Sequence, residues 1–213
     1  MGLDVTQLSL GPLRTNCYLV SRSASGAAVV IDPSGEAATI RLELAQRGAA
    51  CAAILITHGH WDHLGGVADL AEGTGAPVHM AEAERQLLER ASDFTPPEVY
   101  VRSWTPEVGL QGDESLELAG MTFETLLVPG HSPAHVAFAA EGCLFSGDVL
   151  FAGSVGRTDL PGASWETLMG SIRLLLERFP PETIVYSGHG PPTSLGNELA
   201  TNPFLADLQA PEQ

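Results

Sequence analysis

Three histidines and one aspartate fall within six residues of this sequence, at His58, His60, Asp62 and His63. Five apolar residues precede this cluster and are typical of a buried strand, so the cluster begins where the strand ends. Alternate residues of an extended chain point the same way, which lets His58 and His60 reach one point in space. Asp62 and His63 are consecutive and share a target only if the chain turns, as the glycine pair at 65–66 predicts. Two donor pairs on either side of a bend predict two adjacent cations.

The predicted burial of this cluster requires compensating positive charge. A lone histidine is most often a hydrogen-bonded residue of the core or surface. Imidazoles and a carboxylate packed this closely are different, because buried polar and charged groups are costly when unpaired. The chain has ten cationic side chains, all arginine, and none lies within the cluster. A bound metal is therefore the simplest prediction.

Three further donors follow apolar strands in the same manner, namely His131, Asp148 and His189. Each has a glycine beside it, where the backbone turns tightly or approaches a neighbour closely. The complete set of predicted metal donors is His58, His60, Asp62, His63, His131, Asp148 and His189. Structural zinc sites are usually closed and rich in cysteine. A set made only of histidine and aspartate instead predicts a two-metal site with open positions for water and substrate.

Three other polar residues stand close to this pattern without joining it. Asp32 also follows a strand, and it is predicted either to hold a ligand imidazole from behind or to cap the turn at Pro33. His79 lies in the middle of a predicted strand and is assigned to the core. His135 lies four residues after His131 and is predicted to be structural or to support a ligand.

Composition restricts the class of partner and the compartment. The formal charge of −16, from 26 acidic residues against ten arginines, argues against nucleic acid, whose binding depends on cationic contacts to phosphate. Cys17, Cys51 and Cys143 are far apart in apolar stretches, which is typical of free thiols in a reducing compartment. No signal peptide and no apolar run of about 20 residues are visible, so we expect a cytoplasmic protein that does not span a membrane.

The order of predicted elements indicates an α+β protein. With 44% hydrophobic residues, 213 residues suit a single domain spanning 1–213. Residues 92–107 lack clear periodicity and are predicted to form an ordered loop over one edge of the site, or else a packed surface excursion. Strands are predicted at 5–10, 17–20, 27–31, 52–56, 77–80, 115–118, 122–128, 136–140, 143–146 and 183–187. Helices are predicted at 37–44, from 67 onward, at 82–90, at 165–179 with Ser164 as N-cap, and around 196–207.

Taken together, the His-x-His-x-Asp-His run and the three Gly-flanked donors resemble the metallo-β-lactamase superfamily across nearly the whole chain. The resemblance implies an αβ/βα four-layer sandwich with the metals at one edge of its sheets. It also implies the distribution of the donors between the metals. His58, His60 and His131 would hold the first metal. Asp62, His63 and His189 would hold the second, with Asp148 bridging the two.

Within this superfamily the chain is most similar to glyoxalase II (hydroxyacylglutathione hydrolase), in the small bacterial form with Gly-His-Gly-Pro and Asn-Pro-Phe-Leu patterns, here at 188–191 and 202–205. The resemblance implies hydrolysis of small-molecule thioesters such as S-lactoylglutathione by a hydroxide held between two divalent ions. Zinc is the expected metal, with iron or manganese as alternatives. Asp62 is the candidate acceptor for the proton of the attacking water. The thiolate leaving group, from a thiol with a pKa of about 8.5, departs without a strong general acid.

The chain departs from full-length glyoxalase II in two places. The helical region that helps to bind glutathione is expected to be missing, since only about twenty residues follow His189, and the family's loop of lysine and tyrosine reads Gly156-Arg157-Thr158-Asp159. Arg157 is predicted to hold a substrate carboxylate by a two-pronged contact. The alternative is that Arg157 pairs with Asp159 and shapes the loop.

Three rival functions follow from the same residues. The 156–159 loop also resembles persulfide dioxygenases of this superfamily, for which His58, His131 and Asp148 would hold a single iron. β-Lactamase activity is disfavoured, because its commonest zinc class has cysteine at the position of Asp148. A non-catalytic binding module stabilised by metal is the third alternative, and turnover of any thioester would exclude it.

Overall fold

The computed structural model describes residues 2–22 and 26–208, which form two six-stranded sheets packed face to face. The first sheet holds, in spatial order, Asp4–Leu10 (β1), Thr15–Ser21 (β2), Ala27–Ile31 (β3), Ala50–Leu55 (β4), Val78–Ala81 (β5) and Val108–Leu110 (β6). The chain then forms Ser115–Leu118 (β7), Met121–Leu127 (β8), Val136–Ala140 (β9), Cys143–Gly147 (β10), a small hairpin of Leu150–Phe151 (β11) and Ser154–Val155 (β12), Ile184–Ser187 (β13) and Thr193–Ser194 (β14). The second sheet has the order β14-β13-β10-β9-β8-β7.

Helices cover the outer faces of both sheets. They are Ala37–Gln46 (α1), Trp61–Leu64 (α2), Val67–Thr74 (α3), Arg85–Glu89 (α4), Ala91–Phe94 (α5), Trp165–Arg178 (α6) and Leu195–Thr201 (α7). Helix α6 begins as predicted, because the Ser164 hydroxyl accepts a hydrogen bond from the Thr167 amide at 3.3 Å. Gly48, two residues beyond the last residue of α1, has φ +63°, the left-handed conformation that glycine adopts without strain.

Alternation of side chains along each strand divides the apolar residues into three clusters. In β3, Val29 and Ile31 belong to the central cluster between the sheets, whereas Val30 belongs to the cluster under α1 and α3. On the other side, Leu168 and Ile172 of α6 pack on the second sheet in the third cluster. Three apolar interfaces separate four layers, so the predicted αβ/βα sandwich is confirmed.

Two predicted helices are interrupted where the sequence pattern was continuous. Residues 82–90 form a 3-10 turn at Glu82–Glu84 followed by α4, because the Glu84 carboxylate turns inward to accept two backbone hydrogen bonds. Residues 196–207 break at Asn202, which is extended because Pro203 follows it. The chain then continues as a 3-10 helix at Pro203–Leu208.

The segment 92–107 combines both predicted roles. It begins within α5, which the sequence did not predict, and Phe94, Thr95 and Pro96 line the cavity above the donor cluster. Farther along, Val101 and Trp104 pack on the outer apolar cluster of the first sheet. The first part is a cavity wall, and the later part is a packed excursion.

The strand directions bring the predicted donors to one edge of the sandwich. Strands β3 and β4 are parallel, as are β10 and β13, so the segments that leave their C-terminal ends emerge together. Asp32 follows β3, and the cluster that begins at His58 follows β4. Asp148 follows β10, and His189 follows β13. Within the part of the chain that the structure describes, no helix has both the length and the apolar character needed to cross a membrane.

Candidate metal centre

The seven predicted donors converge in the structure, where potential ligand atoms form overlapping groups of three. One group contains His58, His60 and His131, and another contains Asp62, His63 and His189. They have the same members as the two ligand sets that the family resemblance implied, and a third group, of His58, His63 and Asp148, overlaps both. In each group the ligand atoms all lie within 4.8 Å of one another.

Three ring nitrogens meet in the first group. His58 Nε2 lies 3.0 Å from His60 Nδ1, which lies 2.9 Å from His131 Nε2. His58 and His60 come from the extended chain after β4, and His131 comes from the loop after β8. Three lone pairs aimed at one point suit a single cation better than hydrogen bonds among neutral imidazoles.

The second group contributes one carboxylate and two imidazoles. Asp62 Oδ2 lies 3.6 Å from His63 Nε2 and 3.3 Å from His189 Nε2. The short helix α2 starts at Trp61 and supplies the turn that lets consecutive residues share a target. Thr15 fixes the carboxylate, because its hydroxyl donates to Asp62 Oδ2 at 2.7 Å.

The Asp148 carboxylate lies between the two groups. Its Oδ1 is 3.4 Å from His63 Nε2, and its Oδ2 is 3.6 Å from His131 Nε2 and 3.5 Å from His189 Nε2. One carboxylate therefore faces ligands of both sets, which is the position that a bridging ligand requires.

Hydrogen bonds behind the imidazoles set their orientation and tautomers. The Thr57 hydroxyl donates to Asp32 Oδ2 at 2.7 Å and so accepts from His58 Nδ1 at 3.0 Å, which leaves His58 Nε2 free to bind. His63 Nδ1 lies 2.9 Å from Asp32 Oδ2, and His131 Nδ1 lies 2.9 Å from the Arg157 carbonyl. Asp32 thus holds a predicted ligand imidazole, as proposed for it, and does so together with Thr57.

Burial lowers the pKa values of histidines in the first group, whereas neighbouring carboxylates raise that of His189 in the second. Burial lowers the pKa of His58 well below its ordinary value and lowers that of His60 to about 4. Both imidazoles are therefore neutral, the form that binds a metal. Hydrogen bonds to Asp148 and Asp62 raise the pKa of His189 to about 9. The carboxylates of the second group thus attract positive charge, which a bound cation would supply in place of a proton.

A second observation, independent of the donor distances, also indicates that these residues can hold a metal. Among residues 2–22 and 26–208, His63 Nε2 and Asp148 Oδ1 are both buried and lie 3.4 Å apart, yet neither makes a hydrogen bond. Buried polar atoms without partners are rare and costly. Gly188 keeps this space open, because a Cβ there would lie 2.1 Å from Asp148 Oδ1. The site is built to hold a ligand between these atoms.

Three supporting residues were not identified as such from the sequence. Glu84 accepts hydrogen bonds from the amides of Gly59 (2.7 Å) and Ala134 (2.9 Å), and so joins the loops that carry His60 and His131. The sequence offered no signal for this role, since Glu84 lies in a stretch that reads as a polar helix. Asn16 and Tyr18 of β2 both donate to the carbonyl of Ser187, which precedes the Gly188-His189 turn; no feature of the sequence pointed to that contact.

The structure gives a different result for each of the remaining predicted residues, which are His79, His135 and Arg157. His79 lies in β5, away from the donors, and is 6% exposed. His135 is fully buried, stacks on His58 with ring centroids 4.7 Å apart, and accepts a hydrogen bond from the Asp148 amide at 3.1 Å. Arg157 pairs with Asp159 through two contacts of 2.6 and 2.7 Å, which is the alternative stated for it above.

A cavity of about 1030 Å³ opens onto the donors. His60, Asp62, His131, Asp148 and His189 all line it. The ligand groups are thus accessible to a small molecule, unlike a closed structural metal site.

The four-layer fold with a histidine and aspartate centre at one edge defines a class of metal-dependent hydrolases. A model of the metallo-beta-lactamase superfamily matches residues 10–189, and this chain belongs to that family.

Two curated relatives match nearly the full chain. The "Probable metallo-hydrolase YqgX" of Bacillus subtilis is 35% identical over 93% of this chain and 96% of its own length. The hydroxyacylglutathione hydrolase GloC of Haemophilus influenzae is 34% identical over 95% of this chain and 98% of its own length.

Solved structures show the same fold with differing names. The BLEG-1 B3 metallo-beta-lactamase has a TM-score of 0.90 at 37% identity, covering 95% of this chain and 100% of its own. TTHA1623 in a di-iron-bound form has a TM-score of 0.81 at 41% identity, covering 94% and 100%. ETHE1 from Myxococcus xanthus has a TM-score of 0.78 at 26% identity, covering 96% and 85%.

Proposed function

We propose that this protein is a binuclear metal-dependent hydrolase of small-molecule thioesters. The observation that carries the proposal is the Asp148 carboxylate, which faces ligands of both donor groups at the floor of an open cavity. The relative named as a hydroxyacylglutathione hydrolase supports the thioester class, and the di-iron form of TTHA1623 supports a centre with two ions.

The ligand sets would hold two divalent ions, His58, His60 and His131 one, and Asp62, His63 and His189 the other, with Asp148 shared. Such ions polarise a carbonyl and acidify a water molecule when bound. The chain's own residues supply orientation and proton acceptance.

In this proposal, Asp62 takes the proton of the attacking water. The Thr15 hydroxyl holds its Oδ2, and the carboxylate lines the cavity. Its pKa falls to about 2, since the hydrogen bond to His189 and the charge of His63 outweigh the effect of burial. The Asp62 carboxylate is therefore ionised at neutral pH, the form in which it can bind a cation or receive a proton, and His189 Nε2 lies 3.3 Å from its Oδ2.

The leaving group also suits this site. A thiolate departs unprotonated near neutral pH, because its parent thiol has a pKa of about 8.5. The chain has no lysine, so no ammonium is present to protonate a poorer leaving group or to hold an oxyanion. A thioester is therefore the substrate whose leaving group needs the least protonation by these residues.

Metal analysis combined with three substrates tests the proposal. Protein purified without chelator should contain about two metal ions per chain and should hydrolyse S-lactoylglutathione without consuming oxygen. Chelator-treated protein is the control, and re-addition of metal should restore turnover. The ETHE1 likeness motivates a glutathione persulfide assay with an oxygen electrode, and the BLEG-1 likeness motivates a β-lactam assay. A reproducible single iron with oxygen uptake, or a clear preference for the β-lactam, would replace the thioester assignment.

A further inference from the structure

The cavity wall beyond the metal donors is largely apolar. On one side it is formed by Leu87, Phe94 and Pro96, and on the other by Phe151, Leu160 and Pro161. Phe94 is 46% exposed, although it is a large aromatic residue. An exposed apolar surface that continues into a ligand cavity is a recognition surface for an apolar group.

Both apolar walls reach the donor cluster itself. Leu87 packs over Gly59, so closely that a Cβ on Gly59 would lie 2.3 Å from its side chain, and Gly59 separates His58 from His60. Across the cavity, the Phe151 ring lies 6.1 Å from the ring of His189. A substrate whose reacting carbonyl sits at the donors therefore extends over apolar side chains in either direction.

The charged side chains that line the cavity are not arranged to bind an anionic arm of the substrate. Among the described lining residues, the one arginine or lysine is Arg157, and it is engaged by Asp159 through two hydrogen bonds. The acid on the opposite rim, Asp93, pairs with Arg90. A carboxylate of the substrate would lose water here without gaining a free cationic partner, which is unfavourable.

We propose that the substrate is a thioester whose thiol arm is uncharged and apolar, so that the two carboxylates of glutathione contribute nothing to its recognition. This inference rests on the proposed thioester hydrolase function. Arg157 then shapes the loop that presents its carbonyl to His131, and its guanidinium does not contact the substrate.

A panel with one acyl group and three thiols tests the proposal on the metal-loaded enzyme. The panel consists of S-lactoylglutathione, its dimethyl ester and the lactoyl thioester of 2-phenylethanethiol. Burial of an aromatic arm contributes about 10- to 100-fold in kcat/KM, so the phenylethyl thioester should be the best substrate. The dimethyl ester should match or exceed the free acid. A higher kcat/KM for the free acid than for both others would overturn the inference while leaving thioester hydrolysis intact. If no thioester is hydrolysed, the proposed function itself fails and takes the inference with it.

Two variants locate the effect on the wall. Phe94→Ala should lower kcat/KM for the phenylethyl thioester by about 5-fold, since about half of the ring's surface is available for burial. The matched control is Tyr100→Ala, because Tyr100 belongs to the same segment, is 84% exposed and does not line the cavity. Arg157→Ala should change kcat/KM by the same factor for all three thioesters, because its guanidinium pairs with Asp159 to shape the loop and does not contact the thiol arm. A selective loss for S-lactoylglutathione in Arg157→Ala, or equal effects of Phe94→Ala and Tyr100→Ala, would contradict the proposal.

Discussion

Asp148→Ala should lower turnover by at least about 100-fold and reduce the metal content below that of the native chain. Among the residues that the structure describes, Asp148 is the one whose two carboxylate oxygens face ligands of both donor groups. Its removal leaves His63 Nε2 without its carboxylate neighbour on that side and withdraws a negative charge from a buried cluster that must hold cations. Inductively coupled plasma analysis and steady-state kinetics on a thioester would measure the two losses.

Two further variants separate a ligand effect from damage to the fold. Asp148→Asn keeps the shape but not the charge, so it should also lose metal, and after chelator treatment it should unfold at nearly the same denaturant concentration as the chelator-treated native chain. His79→Ala removes another buried polar residue, which lies in β5 of the first sheet, away from the donors. It should retain metal content and kcat, even if the free energy of unfolding falls. If Asp148→Ala retains both its metal and near-native turnover, the ligand assignment is wrong.

Glu84→Ala should lower the free energy of unfolding by about 2–6 kcal/mol. The buried Glu84 carboxylate satisfies the amides of Gly59 and Ala134, and each buried donor left without a partner costs about 1–3 kcal/mol. Urea unfolding of the chelator-treated protein measures this cost without the contribution of bound metal. Glu84→Gln keeps one acceptor oxygen and should lie between the native chain and the alanine variant.

The metal-loaded protein should reveal the second role of Glu84. Because Gly59 lies between His58 and His60, and Ala134 follows His131 closely, loss of the carboxylate should weaken metal binding by about 10- to 100-fold. Glu82→Ala is the matched control, since Glu82 is two residues away and its carboxylate pairs with Arg85 at the surface. Equal unfolding midpoints for Glu84→Ala and Glu82→Ala would show that the bridge between the loops does not stabilise the site.

Most of the regular elements could be predicted from local patterns. The apolar alternation of β3 and the helical spacing of Ile40 and Leu44 are strong signals, because one face of each element must be buried. Strands β6, β11, β12 and β14 were missed, since two or three residues carry no periodicity and their pairing partners lie elsewhere in the chain. The helix at 82–90 was predicted as continuous because Glu84 favours a helix locally, whereas its two backbone partners are distant in sequence.

The candidate site likewise has some features that the sequence predicts and others that only the tertiary structure shows. The amino-acid sequence by itself determined which side chains are present to bind a cation, from His58 to His189, because ligand chemistry and a position after a strand are local properties. Only the tertiary structure decided that Asp148 stands between the two groups and that Asp32 and Thr57 orient the imidazoles. These contacts join segments that are brought together by the parallel pairing of strands and by the packing of the two sheets.

The partner of Arg157 and the apolar cavity wall were decided in the same way. An arginine two residues before an aspartate can pair with it or reach a ligand, and the sequence is compatible with both. The conformation of the loop selects the pair with Asp159. Leu87 and Phe151 are unremarkable in the sequence, and they become walls of the site because tertiary packing places them on opposite sides of the donors. The local sequence specifies the metal-binding side chains. The choice of substrate depends on the cavity walls, which are formed by segments that are distant in sequence and meet only in the folded chain.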